Sequence, residues 1–331
     1  MPVRDAAATV ASAAESVLND PLRDLELLVI DDGSSDETPC LLESLARADT
    51  RVRIVRQEAL GLVAALNRGL AEAAAAVIVR QDADDLSVPG RIRDQVAFLD
   101  AQPGVALVAT RCRVFRDDGC AGEGMRHWAA WSNRLASHEA IHRQRFVESP
   151  FAHPAVALRT ETLRRAGGYT DGDFPEDYEL WLRLLARGER FARILGVGVL
   201  VREHAARSIH RDVRYRPEAF RRLKRRHLER EFLPPGEPVV LFGGGRVAKT
   251  WLRDFLAEGR EVAALADLDP RRIGMRIEGI PVVHARDAAR GGSLGRLRAL
   301  GALGRPGSRY QLRRSLSELG RVEGTDFLFV A

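Results

Sequence analysis

Apolar runs rich in Val, Ile and Leu alternate along the chain with segments whose apolar positions follow the helical period. LELLVI (25–30), VRIV (52–55), AVIV (76–79) and VALVA (105–109) have the length and composition of buried strands, and Ala/Leu-rich amphipathic segments separate them. Such alternation predicts a parallel sheet covered by helices. AVALR (155–159) and ARILGVGVLVR (192–202) add further strand-like runs. A basic helical segment from about Pro217 to Phe232 then runs into LPPGEP (233–238), where two prolines and a glycine mark a break. VVLF (239–242), GGGRVAK, the helical WLRDFLAEG and EVAALADLD (261–269) open a second, smaller α/β unit that ends in FLFV (327–330). The pattern predicts lobes over 1–213 and 237–331 joined by a basic helical linker over 214–236.

A chain of 331 residues has room for about two domains of ordinary size. Arg or Asp interrupts every apolar run, so none approaches the roughly 18 residues of a membrane span. Cys40, Cys112 and Cys120 form no C-x-x-C pair, which argues against a disulfide framework or a structural zinc site and for a reducing cytoplasm. Arg4 and Asp5 stand where a secretory signal needs an apolar stretch. The net charge of +5 comes almost entirely from Arg, with Lys only at Lys224 and Lys249. That balance favours anionic partners, and no nucleic-acid motif accompanies it. The basic segment 217–232 is either a solvated linker helix or a contact to the anionic inner face of a membrane.

Candidate chemistry lies in acids that follow strands. In VIDDGSSDET (29–38), Ser34 and Glu37 read as a capping box, which leaves Asp31 and Asp32 unexplained. In an open α/β sheet ligands sit beyond the carboxyl ends of the strands, where such a carboxylate can accept a hydrogen bond from a base N–H or a ribose hydroxyl. VRQDADDLSVPGR (79–91) places Asp82, Asp84 and Asp85 within four positions. One of them can cap the helix expected to start at Pro89. Unit charges about 4 Å apart repel by about 4 kcal/mol at an effective dielectric near 20, so the cluster calls for a cation such as Mg²⁺ or Mn²⁺ with open sites for phosphates. Glu176 and Asp177 begin an amphipathic helix whose apolar stripe includes Trp181, Leu184 and Leu185.

The order MPVRD, VIDDGSSD, GLVAALNRGL, RQDADD, HPAVALR and PEDYELWLR resembles the family 2 glycosyltransferases over about residues 1–205. The resemblance implies a GT-A nucleotide-diphospho-sugar transferase fold and inverting transfer of a sugar from a nucleotide-diphosphate donor to a hydroxyl acceptor, a glycan or lipid-linked glycan. It makes Asp32 the acid that binds the base, with Pro2, Arg4 and Asp5 in the first nucleotide loop. Asp82, with Ala83 beside it, becomes the ribose or diphosphate contact. Asp84 and Asp85 become ligands of Mn²⁺ or Mg²⁺, and Asp177 the general base with Glu176 next to it. His204 and Arg202, in LVREHAARS, match a family pattern near the metal or diphosphate. His153 either faces the donor sugar or is a satisfied structural histidine, and His127, Trp128 and Trp131 either face the acceptor or pack. The family's first strand has no residues ahead of Pro2, so the native protein is expected to begin upstream.

G-x-G-x-x-A at Gly243, Gly245 and Ala248, with Asp267 at the end of the next strand, resembles a Rossmann-type unit. It implies either a nucleotide or NAD-like ligand or a packing role. Beside a glycosyltransferase, a non-catalytic sugar-nucleotide-binding protein and a dinucleotide-binding oxidoreductase therefore stand as alternatives.

Overall fold

A computed structural model describes residues 1–204, 212–290 and 292–331. The chain divides into two units, Met1–Ile141 with Ser149–Arg216, and His142–Glu148 with Pro217–Ala331. Among the described residues no helix is long and apolar enough to cross a membrane.

In the first unit, β1 (Pro2–Val3), β2 (Leu27–Asp32) and β3 (Val52–Gln57) form a parallel sheet in that order. A short first strand thus exists where none was expected: Pro2 and Val3 pair with Ile30 and Asp31. Val10, Ala14 and Val17 of the helix Val10–Leu18 pack with Val29 and Leu42 into one core. A second sheet contains β4 (Val77–Val79), β5 (Leu86–Ser87), β6 (Leu107–Phe115), β7 (Val156–Arg159) and β8 (Phe191–Arg202), in the order β4-β7-β6-β8-β5. Only β6 and β8 run parallel there; β7 is antiparallel to β4 and β6, and β5 to β8. The expectation of a wholly parallel sheet is therefore corrected. Val/Ile/Leu runs encode burial on both faces, and burial does not encode direction.

Two helix starts also differ from the sequence expectation. The capping box does not form: the helix Thr38–Ala48 takes its cap from the Asp36 carboxylate, which accepts the Thr38 N–H at 2.9 Å, while the Ser34 hydroxyl accepts the Asp5 N–H at 3.0 Å. The helix Arg91–Ala101 follows a left-handed Gly90 and is capped by none of the clustered acids. Asp20, fully buried and distant in sequence, accepts the N–H groups of Ile92 and Arg93 at 3.0 and 3.2 Å.

The second unit carries β9 (Val239–Phe242), β10 (Val262–Asp267), β11 (Arg276–Ile277), β12 (Ile280–His284), β13 (Ala299–Gly301) and β14 (Phe327–Phe329) in the order β11-β12-β10-β9-β13-β14. All pairs are parallel except the β11–β12 hairpin, which gives the doubly wound order of a Rossmann-like sheet with its switch point between β9 and β13. Trp251 and Phe255 pack within its core together with Phe242, Phe327 and Phe329. The basic helix Pro217–Glu231 belongs to this unit. Part of its charge turns inward while Arg226 and Arg230 stay exposed: Arg221 and Arg225 meet Asp254 at 2.7 and 3.1 Å, Arg225 also pairs with Glu258, and buried Lys224 donates to the Val147 carbonyl at 2.7 Å.

Candidate active site

At the carboxyl end of β2, Asp31 and Asp32 are both buried. Asp32 Oδ1 accepts from Gln57 Nε2 at 2.7 Å and the Leu60 N–H at 2.9 Å, and Oδ2 accepts the Gly61 N–H at 2.9 Å with Arg4 Nη1 at 3.8 Å. Three donors fix the carboxylate and leave acceptor capacity on Oδ2. Asp31 accepts the Ser34 N–H at 3.1 Å, which shapes the turn. Asp5 adopts a left-handed φ of 47° and accepts the Ser35 N–H at 2.7 Å, while its own N–H donates to Ser34. The strained residue is held by these reciprocal bonds, and it clasps the loop of Pro2, Arg4 and Asp5 to the loop after β2.

The second acid group follows β4. One carboxylate oxygen from each of Asp82, Asp84 and Asp85 lies within 4.8 Å of the others. Ala83 sits half-buried between them and packs on the core beneath the first sheet. Two arginines and a histidine surround this loop. Arg80, buried, pairs with Asp82; His204 Nε2 lies 2.8 Å from Asp84 Oδ2. Arg202 donates its main-chain N–H to Asp85 Oδ1 at 2.7 Å and its Nε to the Asp84 carbonyl at 2.9 Å, with its guanidinium over the Phe115 ring. Arg202 therefore braces the acidic loop. The rest of its motif, residues 205–208, lies outside the described residues. Hard carboxylate oxygens at this spacing fit a Mg²⁺- or Mn²⁺-type ion.

Beneath the loop, Arg91 is buried and its pKa falls to about 10 because burial disfavours its charge. It donates to Ser87 Oγ at 2.9 Å, to the Arg80 carbonyl at 3.1 Å and to Gln81 Oε1 at 3.0 Å, and Gln81 in turn donates to the carbonyls of Asp82 and Asp85. Sequence reasoning missed Arg80, Gln81 and Arg91. The available signal was a run of polar side chains, Arg80 and Gln81, continuing directly from a strand whose neighbours are apolar.

Glu176 and Asp177 open the helix Glu176–Ala186, whose Trp181, Leu184 and Leu185 are buried as expected. Glu176 Oε2 accepts the Tyr215 hydroxyl at 2.7 Å, and its Oε1 lies 3.9 Å from His153 Nδ1. Burial raises the Glu176 pKa, against the opposing Tyr215 bond. Asp177, half-buried with Oδ1 accepting the Tyr178 N–H at 2.6 Å, is pushed up to about 8 by burial, by the Glu176 charge and by Asp82. The acidic loop and the helix start therefore share one electrostatic environment.

His153 is a buried structural histidine. Arg80 Nε donates to its Nε2 at 3.0 Å, Tyr169 Oη lies 2.8 Å from the same nitrogen, and its ring meets Trp181 edge-on at 5.8 Å. Burial and then Arg80 hold its pKa well below the usual value, so the ring is neutral. Trp128 donates its indole N–H to the Ser149 carbonyl at 3.1 Å and packs on buried Ala129 and Ala152, a packing role; His127 is exposed on the same helix, and Trp131 is half-buried.

In the second unit, Gly243 has a φ of 124°, and a Cβ there would lie 2.9 Å from the Ala302 carbonyl. Gly245 has open space and Ala248 is fully buried. The tightest position is Gly244, where a Cβ would come within 2.3 Å of Asp267 Oδ2. Asp267 is engaged internally, accepting from Arg272 Nη1 at 2.8 Å and from the N–H groups of Leu268 and Asp269. Its carboxylate serves this turn.

With this geometry in view, comparisons with known proteins agree on the first unit. The chain is 29% identical over 172 residues to the O-antigen biosynthesis glycosyltransferase WbnJ of Escherichia coli, covering 52% of this chain and 64% of that protein. It is 29% identical over 190 residues to the amylovoran biosynthesis glycosyltransferase AmsE of Erwinia amylovora, covering 57% and 68%. The chain thus spans less than two thirds of the length of WbnJ. Among solved structures, S. aureus TarS 1-349 in complex with UDP-GlcNAc superposes with a TM-score of 0.56 at 15% identity, covering 77% of this chain and 70% of that one, a likeness of fold. The model of Glycosyl transferase family 2 matches residues 1–166, half of the chain, and the chain belongs to that family.

Proposed function

We propose that the chain transfers a sugar, with inversion, from a nucleotide-diphosphate donor to a hydroxyl of a glycan or lipid-linked glycan, in the assembly of a cell-surface polysaccharide. The observation that carries this is the meeting of two acid groups around one buried cation: Arg80 pairs with Asp82 and donates at 3.0 Å to His153, whose Nδ1 lies 3.9 Å from Glu176 Oε1 beside Asp177. A donor diphosphate and an acceptor hydroxyl need such neighbouring sites of opposite demand. The biosynthetic names of WbnJ and AmsE support the glycan setting.

Asp32 Oδ2 accepts a base N–H, and the loop of Pro2, Arg4 and Asp5 closes over the nucleoside. Asp82 meets the ribose or diphosphate. Asp84 and Asp85, with His204 against Asp84, would hold a divalent cation, which supplies Lewis-acid stabilisation of the leaving diphosphate. Asp177 takes the proton of the acceptor hydroxyl as that oxygen attacks the anomeric carbon from the face opposite the departing nucleoside diphosphate. The new C–O bond forms as the old one breaks, and the anomeric configuration inverts. Glu176, tied to Tyr215, fixes the start of the helix that carries the base.

The test is a panel of UDP- and GDP-sugars with Mn²⁺, screened first for thermal stabilisation and then for turnover onto glycan and lipid-linked acceptors. Stabilisation by one nucleotide class together with transfer supports the proposal. Stabilisation without turnover, on any acceptor or on water, identifies a sugar-nucleotide-binding protein instead, and no response at all refutes both.

A further inference from the structure

Arg80 is one of the most confined charges in the first unit. Its side chain is buried, and its main chain is pinned because its N–H donates to the Val156 carbonyl at 2.9 Å and its carbonyl accepts from Arg91 at 3.1 Å. All three guanidinium nitrogens are engaged: Nη2 with Asp82 Oδ1, Nη1 with the Gln81 carbonyl at 2.7 Å and Nε with His153 Nε2 at 3.0 Å. Because His153 is neutral and accepts at Nε2, its proton sits on Nδ1, which lies 3.4 Å from Arg80 Nη2 and 3.9 Å from Glu176 Oε1. Glu176 then accepts from Tyr215 at 2.7 Å. A chain of polar contacts, buried at Arg80, His153 and Glu176, runs from Asp82 to Tyr215, hydrogen-bonded at every step except the 3.9 Å approach of His153 to Glu176.

Resting on the glycosyl-transfer proposal above, we infer that Arg80 is the positioning residue that locks the donor-side acid Asp82 and the acceptor-side pair Glu176–Asp177 into one geometry, acting through the imidazole of His153. In a buried polar path each member that moves strands its neighbour without a partner, so the path has few alternative arrangements. A guanidinium holds two directions at once because its donors are fixed in a plane. A lysine ammonium at position 80 reaches Asp82 or His153, and not both in the same geometry. A role confined to packing would change stability alone; a positioning role separates the two halves of the site.

The experiment compares the wild type with Arg80→Lys, His153→Phe and Arg80→Met. Binding of UDP and GDP in the presence of Mn²⁺ is followed by calorimetry. Turnover is followed as release of nucleotide from UDP-N-acetylglucosamine, UDP-galactose and GDP-mannose, using the donor the wild type prefers. In Arg80→Lys and His153→Phe, nucleotide affinity stays within about threefold while turnover falls about 10- to 100-fold, the scale of a misplaced reacting group. Arg80→Met loses both. Parallel recovery of affinity and turnover in Arg80→Lys, or turnover within about twofold of wild type in a folded His153→Phe, overturns the inference. If the wild type turns over no donor, the functional proposal fails and a thermal cycle still decides the relay. Asp82→Asn and Glu176→Gln should then be non-additive in melting temperature by about 2–4 °C, and additive when combined with His153→Phe. Additivity in the wild-type background refutes the coupling.

Discussion

Replacing Asp177 with Asn should remove transfer and at the same time stabilise the protein at alkaline pH. The carboxyl is half-buried beside Glu176, and burial with that neighbouring charge raises its pKa from 3.8 to about 8. A raised acid pKa favours the folded state while the group is protonated. The contribution is therefore fully present below the unfolded value and is lost as pH rises through the folded one. Each unit is worth about 1.36 kcal/mol, and if Glu176 shares the effect equally, Asp177 carries about 3 kcal/mol. A neutral amide has no such penalty, so the advantage of Asp177→Asn over wild type should grow between about pH 4 and pH 8 and then level off. For a unit of this size that corresponds to about 6–12 °C in melting temperature. The assay is thermal unfolding of both proteins, without divalent cation, from pH 4 to pH 9, alongside donor turnover. A difference in melting temperature that does not change with pH would refute the assignment of a strained, buried acid at this position.

Asp84→Ala should lower Mn²⁺-dependent UDP or GDP affinity by at least tenfold by calorimetry, whereas Asp177→Asn leaves it within about threefold; equal affinity of the wild type after complete chelation would remove the metal from the account. Asp20→Ala deprives the Ile92 and Arg93 N–H groups of their acceptor, and denaturant unfolding should show a loss of about 2–4 kcal/mol, the cost of an N-cap plus a buried donor left without a partner. In the second unit, Gly244→Ala forces the Asp267 carboxylate aside and should cost about 1–3 kcal/mol, while Gly245→Ala, facing open space, should stay within about 1 kcal/mol. Equal costs at the two glycines would mean that the turn is not built around Asp267.

What the sequence made legible were features carried by neighbours along the chain. Strand runs such as LELLVI and VALVA, the acids that follow them, and the helix that starts at Glu176 all stand where local pattern places them. What it hid were partners brought together by folding. Asp20 reads as a loop acid, and its helix lies some seventy residues on. Arg80 and Arg91 read as ordinary charges because nothing local announces that His153 and the Pro154 carbonyl will meet them. The basic helix Pro217–Glu231 looks solvated for the same reason: the acids that neutralise it, Asp254 and Glu258, sit on another helix. The reversed direction of β7 is equally silent, since a buried strand has the same composition whichever way it runs.

The short segment 142–148 leaves the first unit at Ile141, joins the second and returns at Ser149. Trimming the gene at Arg216 therefore would not yield a clean first unit. The fragment would keep Arg145 and Val147 and discard Glu231 and Lys224, to which they bind. Phe146, fully buried in the intact chain, would lose the surroundings grouped with it. Expression of the first unit alone calls for redesigning that excursion as a polar connector.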